Sequence, residues 1–271
     1  MKAYLSNFLI KFFLAFSFTY LMFLFLSSLL TVESFSFLSP ASCMPHQCFC
    51  ETIYQNNLKQ RSNSISSLCF LFVGFWNLIS PNIRLGKNAV ESSSNSGISL
   101  ITIVFATTLF CIGIGSFIFH ATLSFVGQFL DVAGMNLLAN FILLTHSRFK
   151  FKFRDATFLL IYLSLNLVTC FLIWYIPDLR RILFAFILIV SLFVILLISK
   201  RRKLFSIGYL YLSLFTQMLA LLIWNLDLNR IVCNPDFWIQ GHAIWHVLSA
   251  GVCYLLYIFY LKNNFGHEIK L

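Results

Sequence analysis

Eight long apolar stretches dominate this chain, at about residues 7–32, 64–80, 98–120, 125–146, 157–176, 182–199, 206–226 and 239–261. A hydrocarbon core of about 30 Å needs roughly 20 mostly apolar helical residues per crossing. Such spacing leaves little room for anything except a multi-pass membrane protein. With 59% hydrophobic and 10% charged residues, the chain also lacks the polar surface to clothe a water-soluble globule of this length. The breaks carry turn-forming or basic residues: Ser80-Pro81-Asn82, the Ser/Asn run from Ser92 to Ser96, Arg148 to Arg154, Ile176-Pro177-Asp178, Lys200 to Lys203, and Asn234-Pro235. No gap holds a soluble domain.

Helices are expected rather than barrel strands, because a lipid-facing strand alternates polar and apolar residues and "LFAFILIVSLFVILLIS" does not. The expected fold is all-α and integral to the membrane. A seven-transmembrane-helix bundle over 36–265 follows an additional N-terminal hydrophobic helix within 1–35. That first stretch opens with Lys2, as a signal peptide would, yet its apolar run exceeds the roughly 7–15 residues of a signal h-region. A retained helix is the preferred reading.

Basic residues near helix ends accumulate on the cytoplasmic side. With eight crossings both termini share a face, and on it fall Lys2, Arg84, Lys87, Arg148, Lys150, Lys152, Arg154, Lys200, Arg201, Arg202, Lys203, Lys262 and Lys270. Thirteen there stand against five opposite: Lys59, Arg61, Arg180, Arg181 and Arg230. Both termini are therefore expected in the cytosol. The net charge of +10 is mostly this topology signal, with some attraction to anionic headgroups, and no basic-aromatic domain is present to bind nucleic acid.

This topology sorts the ionisable residues by depth. The third stretch ends "GIGSFIFHATL", with Ser116 and His120 at its outer end. The fourth returns from "SFVGQFLDVAGM", with Asp131 in its first turns, and the eighth begins "IQGHAIWHVLS", with His242 and His246. Residues four apart share a helical face, so His242 and His246 can chelate one ion, as in helical zinc motifs. His120 would supply a third nitrogen and leave the fourth tetrahedral position to water, the arrangement of catalytic zinc. Zinc in such a site lowers the pKa of water to about 7 and polarises a carbonyl, which suits hydrolysis of an amide or ester. Asp131 could accept a proton from that water or orient a ligand. Ser116, one turn before His120, could hydrogen-bond the developing oxyanion.

Each residue also has a plainer reading. A lone His inside the membrane often only packs helices, Asp131 could pair with an outer-face arginine, and Ser116 beside Gly113 and Gly115 could serve close packing. Agreement in depth across three helices favours a site. His146 and His267 fall on the cytosolic side, and His46 reads as a surface loop residue. Cys43, Cys48, Cys50 and Cys233 all lie on the outer side, where disulfides are permitted. A bridge from the 43–50 loop to Cys233 would help cover the site, with the pairing open, and a metal site on Cys48 and Cys50 is the rival. Cys69, Cys111, Cys170 and Cys253 read as packing residues.

Through "CFCE", "QRSNSISSLCFLFVGFW", "GSFIFHATL", "QFLDVAGM" and "GHAIWH", the chain resembles the alkaline ceramidase family, within the seven-helix membrane hydrolases that include adiponectin-receptor-like proteins. The similarity spans about Cys48 to Tyr260. It implies a zinc ion held by His120, His242 and His246, with Ser116 and Asp131 beside the reacting water. The implied reaction is hydrolysis of the ceramide amide to a long-chain base and a fatty acid. Members with a calcium site read Asp-Trp-Cys-Glu, then Asn and a further Glu. Here Cys48-Phe49-Cys50-Glu51, Ile53 and Gln60 stand in those places. Glu51 alone survives as an anionic ligand for a second cation, and calcium binds through several oxygens. Calcium is expected to be absent or weakly held, and Glu51 could equally be a solvated loop residue. A lipid-responsive receptor with structural zinc is the rival function; a transporter fits less well, since few polar residues fall at the midplane.

Overall fold

The computed structural model describes residues 2–30, 37–44, 46–55, 58–80, 98–201, 204 and 206–263. Arg84, Lys87, Arg202, Lys203, Lys270 and His267, used in the charge and histidine readings, lie outside these. Among the described residues the helices are α1 (Lys2–Leu29), α2 (Arg61–Ser67), α3 (Cys69–Ile79), α4 (Leu100–Thr122), α5 (Phe125–Phe151), α6 (Asp155–Tyr175), α7 (Leu179–Arg201), α8 (Gly208–Leu228) and α9 (Gly241–Lys262). Eight spans are long and apolar enough to cross a membrane, and the fold is an all-α membrane bundle.

The second span is two helices rather than one, because α2 and α3 meet at Leu68 and form a single unit from Arg61 to Ile79. The α2 half reads RSNSISS and is polar. It becomes part of the site rather than of the lipid-facing wall. The first apolar stretch forms α1, which lies against α3 and α4 through aromatic pairs: Phe18 stacks on Phe75 at 4.4 Å, Phe8 meets Trp76 at 5.4 Å and Phe23 meets Phe117 at 6.3 Å.

Helices α4 and α5 form a tight hairpin turned by Leu123, which has a left-handed backbone (φ 48°). Glycine sets how closely they approach. A Cβ on Gly115 would stand 2.7 Å from the Leu130 carbonyl oxygen, and one on Gly134 would stand 2.8 Å from the Ile112 Cα. Small residues at such crossings let membrane helices pack backbone to backbone. Deeper polar groups satisfy one another: Thr108 with the Tyr162 hydroxyl at 2.8 Å, and Asn140 donating to Asn166 at 2.8 Å. They act as packing bonds between helices.

Candidate metal centre

His120 ends α4, whereas His242 and His246 occupy the first two turns of α9. All three are buried, and one nitrogen of each lies within 4.8 Å of the others. The His120 and His242 Nε2 atoms are 3.1 Å apart. This fits a shared ion. Two ligands of one tetrahedral zinc, at bonds of 2.0–2.1 Å, stand about 3.3 Å apart.

The hydrogen bonds favour the same ring orientation. His120 Nδ1 donates to Gln60 Oε1 at 2.8 Å, which leaves its Nε2 lone pair pointing at His242. Ser66 donates its hydroxyl proton to the Asn63 carbonyl at 3.0 Å. Its oxygen is then an acceptor for His246 Nδ1 at 2.8 Å, and His246 Nε2 faces Ser116 Oγ at 3.2 Å. Three imidazoles turning basic nitrogens inward are a donor set suited to zinc.

The expected partners of the histidines arrive beside them. Ser116 is 1% exposed, and its hydroxyl interacts with the Asp131 carboxyl as well as with His246. Asp131 therefore does not pair with an outer-face arginine; Arg180 instead donates to Gln128 Oε1 at 2.8 Å and to the Ile173 carbonyl at 3.2 Å. Close packing falls to Gly113 and Gly115, which frees the Ser116 side chain to face the site.

Two disulfides stitch the loops beside the site, Cys43 to Cys48 and Cys50 to Cys233. The sulfurs of Cys48 and Cys50 are thus in bridges, which removes the alternative metal site on that pair. Between them sits Phe49, stacked on His242 at 3.7 Å and tilted toward His120 at 5.3 Å. Trp245 stacks on His242 at 5.2 Å. Aromatic rings therefore shield the imidazoles on the side of the disulfide-bridged loops.

Glu51 is 3% exposed, so the solvated-loop reading fails. Its Oε1 accepts from Ser62 N at 2.6 Å and its Oε2 from Asn63 N at 3.0 Å, the unpaired donors at the start of α2. Burial raises its pKa above the usual carboxylate range; the backbone N–H groups of Asn63 and Ser62 pull it back, and the Asp227 charge pushes it up. Asp227 plays the same part for α9, with Oδ1 accepting from Cys50 N and Oδ2 from His242 N, both at 3.2 Å. Neither helix has a capping bond from its own N-cap, Gln60 or Gln240. A carboxylate brought from elsewhere in the chain completes each.

The calcium ligand set does not fit. Cys48 is in a bridge, Ile53 is apolar, both Glu51 oxygens serve α2, and Gln60 Oε1 serves His120.

A cavity of about 220 Å³ begins one turn inward of these residues. Ile112 lies one turn below Ser116, Met135 one turn below Asp131 and Ser249 one turn below His246, and all three line it. Its walls are mostly apolar and extend to His146, which bonds Ser191 Oγ at 3.0 Å and Tyr260 at 3.2 Å.

A family model described as Ceramidase matches residues 46–268. The chain belongs to the ceramidase family. Membership implies a hydrolase acting on amide bonds and a lipid substrate, and the buried trio His120, His242 and His246 is a group that can hold a metal ion. No curated protein matches the chain. Sequence reasoning missed Gln60, Ser66 and Asp227 as partners of the site. Ser66 lies within, and Gln60 immediately before, a polar seven-residue segment opening an otherwise apolar span, a signal that marks the segment and not the bonds these two side chains make.

Proposed function

We propose that this protein is a zinc-dependent membrane amidohydrolase that cleaves the N-acyl amide of ceramide or a related lipid to a long-chain base and a fatty acid. The observation that carries the reading is one juxtaposition. Three inward-facing histidines with Asp131 and Ser116 sit at the head of an apolar cavity inside a ceramidase-family bundle.

His120, His242 and His246 would hold the ion, and zinc so bound supplies Lewis acidity and water activation near neutral pH. Asp131 takes a proton from the attacking water as its oxygen bonds to the acyl carbon. The same carboxyl returns a proton to the nitrogen as the carbon–nitrogen bond breaks, so acid and amine leave balanced. Ser116 donates a hydrogen bond to the oxygen that gains charge. The acyl or base chain occupies the apolar cavity, and Phe49 limits outer water to what the reaction consumes. On the charge count, both termini face the cytosol and the site faces the periplasmic or lumenal side.

The rival reading, a lipid-responsive receptor with structural zinc, predicts a closed four-ligand site. Among the described residues the ligand group holds three, which favours the hydrolase. Purified protein loaded with zinc should release fatty acid from ceramides or related N-acyl lipids, read by mass spectrometry, and His242→Ala should abolish both metal and release. Stoichiometric zinc without any release across such lipids would remove the hydrolase reading.

A further inference from the structure

Helix α2 is too short and too polar to matter as a membrane crossing, yet it touches two of the three histidines. Its N-cap residue Gln60 is fully buried. Gln60 N donates to the His120 carbonyl at 3.0 Å, and Lys59 N donates to the Ala121 carbonyl at 3.1 Å. The start of α2 is thereby pinned to the end of α4 through backbone bonds. On that fixed base, Gln60 Oε1 accepts from the His120 ring. Six residues further on, Ser66 accepts from the His246 ring.

We propose that α2 is a positioning element: Gln60 and Ser66 fix the ring orientation and tautomer of His120 and His246, with Glu51 holding the helix in place by capping its N-terminus. The reasoning rests on the zinc reading of the trio given above. A ring that donates its Nδ1 proton to a fixed oxygen keeps Nε2 basic and aimed, and such partners typically matter 10–100-fold in metal affinity. His242 differs, since among the described residues its Nδ1 meets no side-chain or backbone acceptor. Stacking between Phe49 and Trp245 holds that ring instead. The trio is thus oriented in two ways, polar for His120 and His246 and aromatic for His242.

The chemistry of the acceptors makes a graded series available. An amide oxygen at residue 60 is a neutral acceptor, and a carboxylate there would be a stronger one. Leucine is similar in size and accepts nothing. At residue 66, threonine keeps the hydroxyl that alanine lacks.

The test is competition between full-length protein and a chromogenic zinc chelator. Gln60→Leu and Ser66→Ala should each weaken zinc binding about 10–100-fold, Ser66→Thr should restore it, and Gln60→Glu should bind at least as tightly as wild type. Wild-type affinity in both Gln60→Leu and Ser66→Ala would overturn the inference while leaving the zinc site standing. Absence of zinc from the wild type would overturn both. Should Gln60→Leu fail to fold, Gln60→Glu decides: a tenfold loss of affinity there would count against the orienting role, and equal or tighter binding supports it.

Discussion

Gly115 is one of the glycines at which α4 and α5 approach backbone to backbone, and substituting it should separate ligand binding from turnover. A Cβ there meets the Leu130 carbonyl oxygen at 2.7 Å, the Leu130 carbonyl carbon at 2.8 Å and the Asp131 nitrogen at 3.1 Å, where ordinary contact begins near 3.4 Å. All three are backbone atoms and cannot rotate away. The hairpin must open by about 0.7 Å, the shortfall of the closest contact. Overpacking of this kind costs about 1–3 kcal/mol, partly offset by the roughly 1 kcal/mol that alanine gains over glycine inside a helix. Gly115→Ala should therefore fold, with a net loss of up to about 2 kcal/mol. The larger effect falls on geometry. The histidines come from α4 and α9, whereas Asp131 rides on α5. Opening the hairpin draws Asp131 from Ser116 and leaves the trio intact. Since 1 Å of misplacement can cost about 10²-fold, kcat should fall about 10–100-fold with zinc stoichiometry unchanged. Fatty-acid release and metal content on the same preparation give the answer. Gly251→Ala, whose Cβ would meet nothing within 4 Å, is the control and should be as active as wild type. Wild-type kcat in Gly115→Ala, or zinc lost in step with activity, would refute the reasoning.

Other expectations are narrower. Asp131→Asn should keep zinc and lose turnover by about 10²–10⁴-fold, the usual scale of acid–base catalysis; joint loss of metal and fold would make Asp131 structural. Calcium or a calcium chelator should leave zinc-loaded activity unchanged, because the Glu51 oxygens are engaged by Ser62 and Asn63, and a calcium requirement would contradict that assignment. Glu51 has a raised folded pKa, so its titration contributes stability that is full below the unfolded value near 4.5 and is lost as pH rises through the folded one. On acidification from neutral pH toward 4.5, wild type should gain thermal stability relative to Glu51→Gln, and parallel melting curves would show that the burial penalty is absent. Cys50 and Cys233 are bridged, so Cys233 should label from the outer side only after a membrane-impermeant reductant; labelling confined to the cytosol would reverse the topology.

The convergence of the histidines and Asp131 was legible because depth in a membrane can be read from helix ends, and a shared depth across separate helices constrains partners. Ring orientation was not legible. Gln60 and Ser66 are common polar residues whose roles depend on α2 folding back onto the end of α4, a tertiary event without periodic signature. Glu51 was read as a ligand for a second cation or a solvated loop residue, because sequence cannot show that the N–H groups of Ser62 and Asn63 converge on it. The bridge to Cys233 was anticipated from the 43–50 loop, with the partner in that loop left open. The pairing of Cys43 with Cys48, five residues along, was not fixed by spacing, because each cysteine of that loop could reach Cys233 as readily as a neighbour. The span at 64–80 was drawn as one helix because hydropathy averages across the break at Leu68.

The cavity walls divide by helix in a way that bears on how such a protein can change over time. Ile112, Met135 and Trp245 line the cavity from the helices that also carry the chemistry, whereas Phe184 and Leu188 on α7 and Leu214 on α8 line it from helices that contribute no member of the histidine trio, Asp131 or Ser116. Substitutions on those two helices can reshape the apolar cavity without touching the histidine trio, Asp131 or Ser116. Under the proposed hydrolase function, preference among lipid chains is free to drift while bond-breaking is inherited intact, so divergence in diet need not require divergence in mechanism.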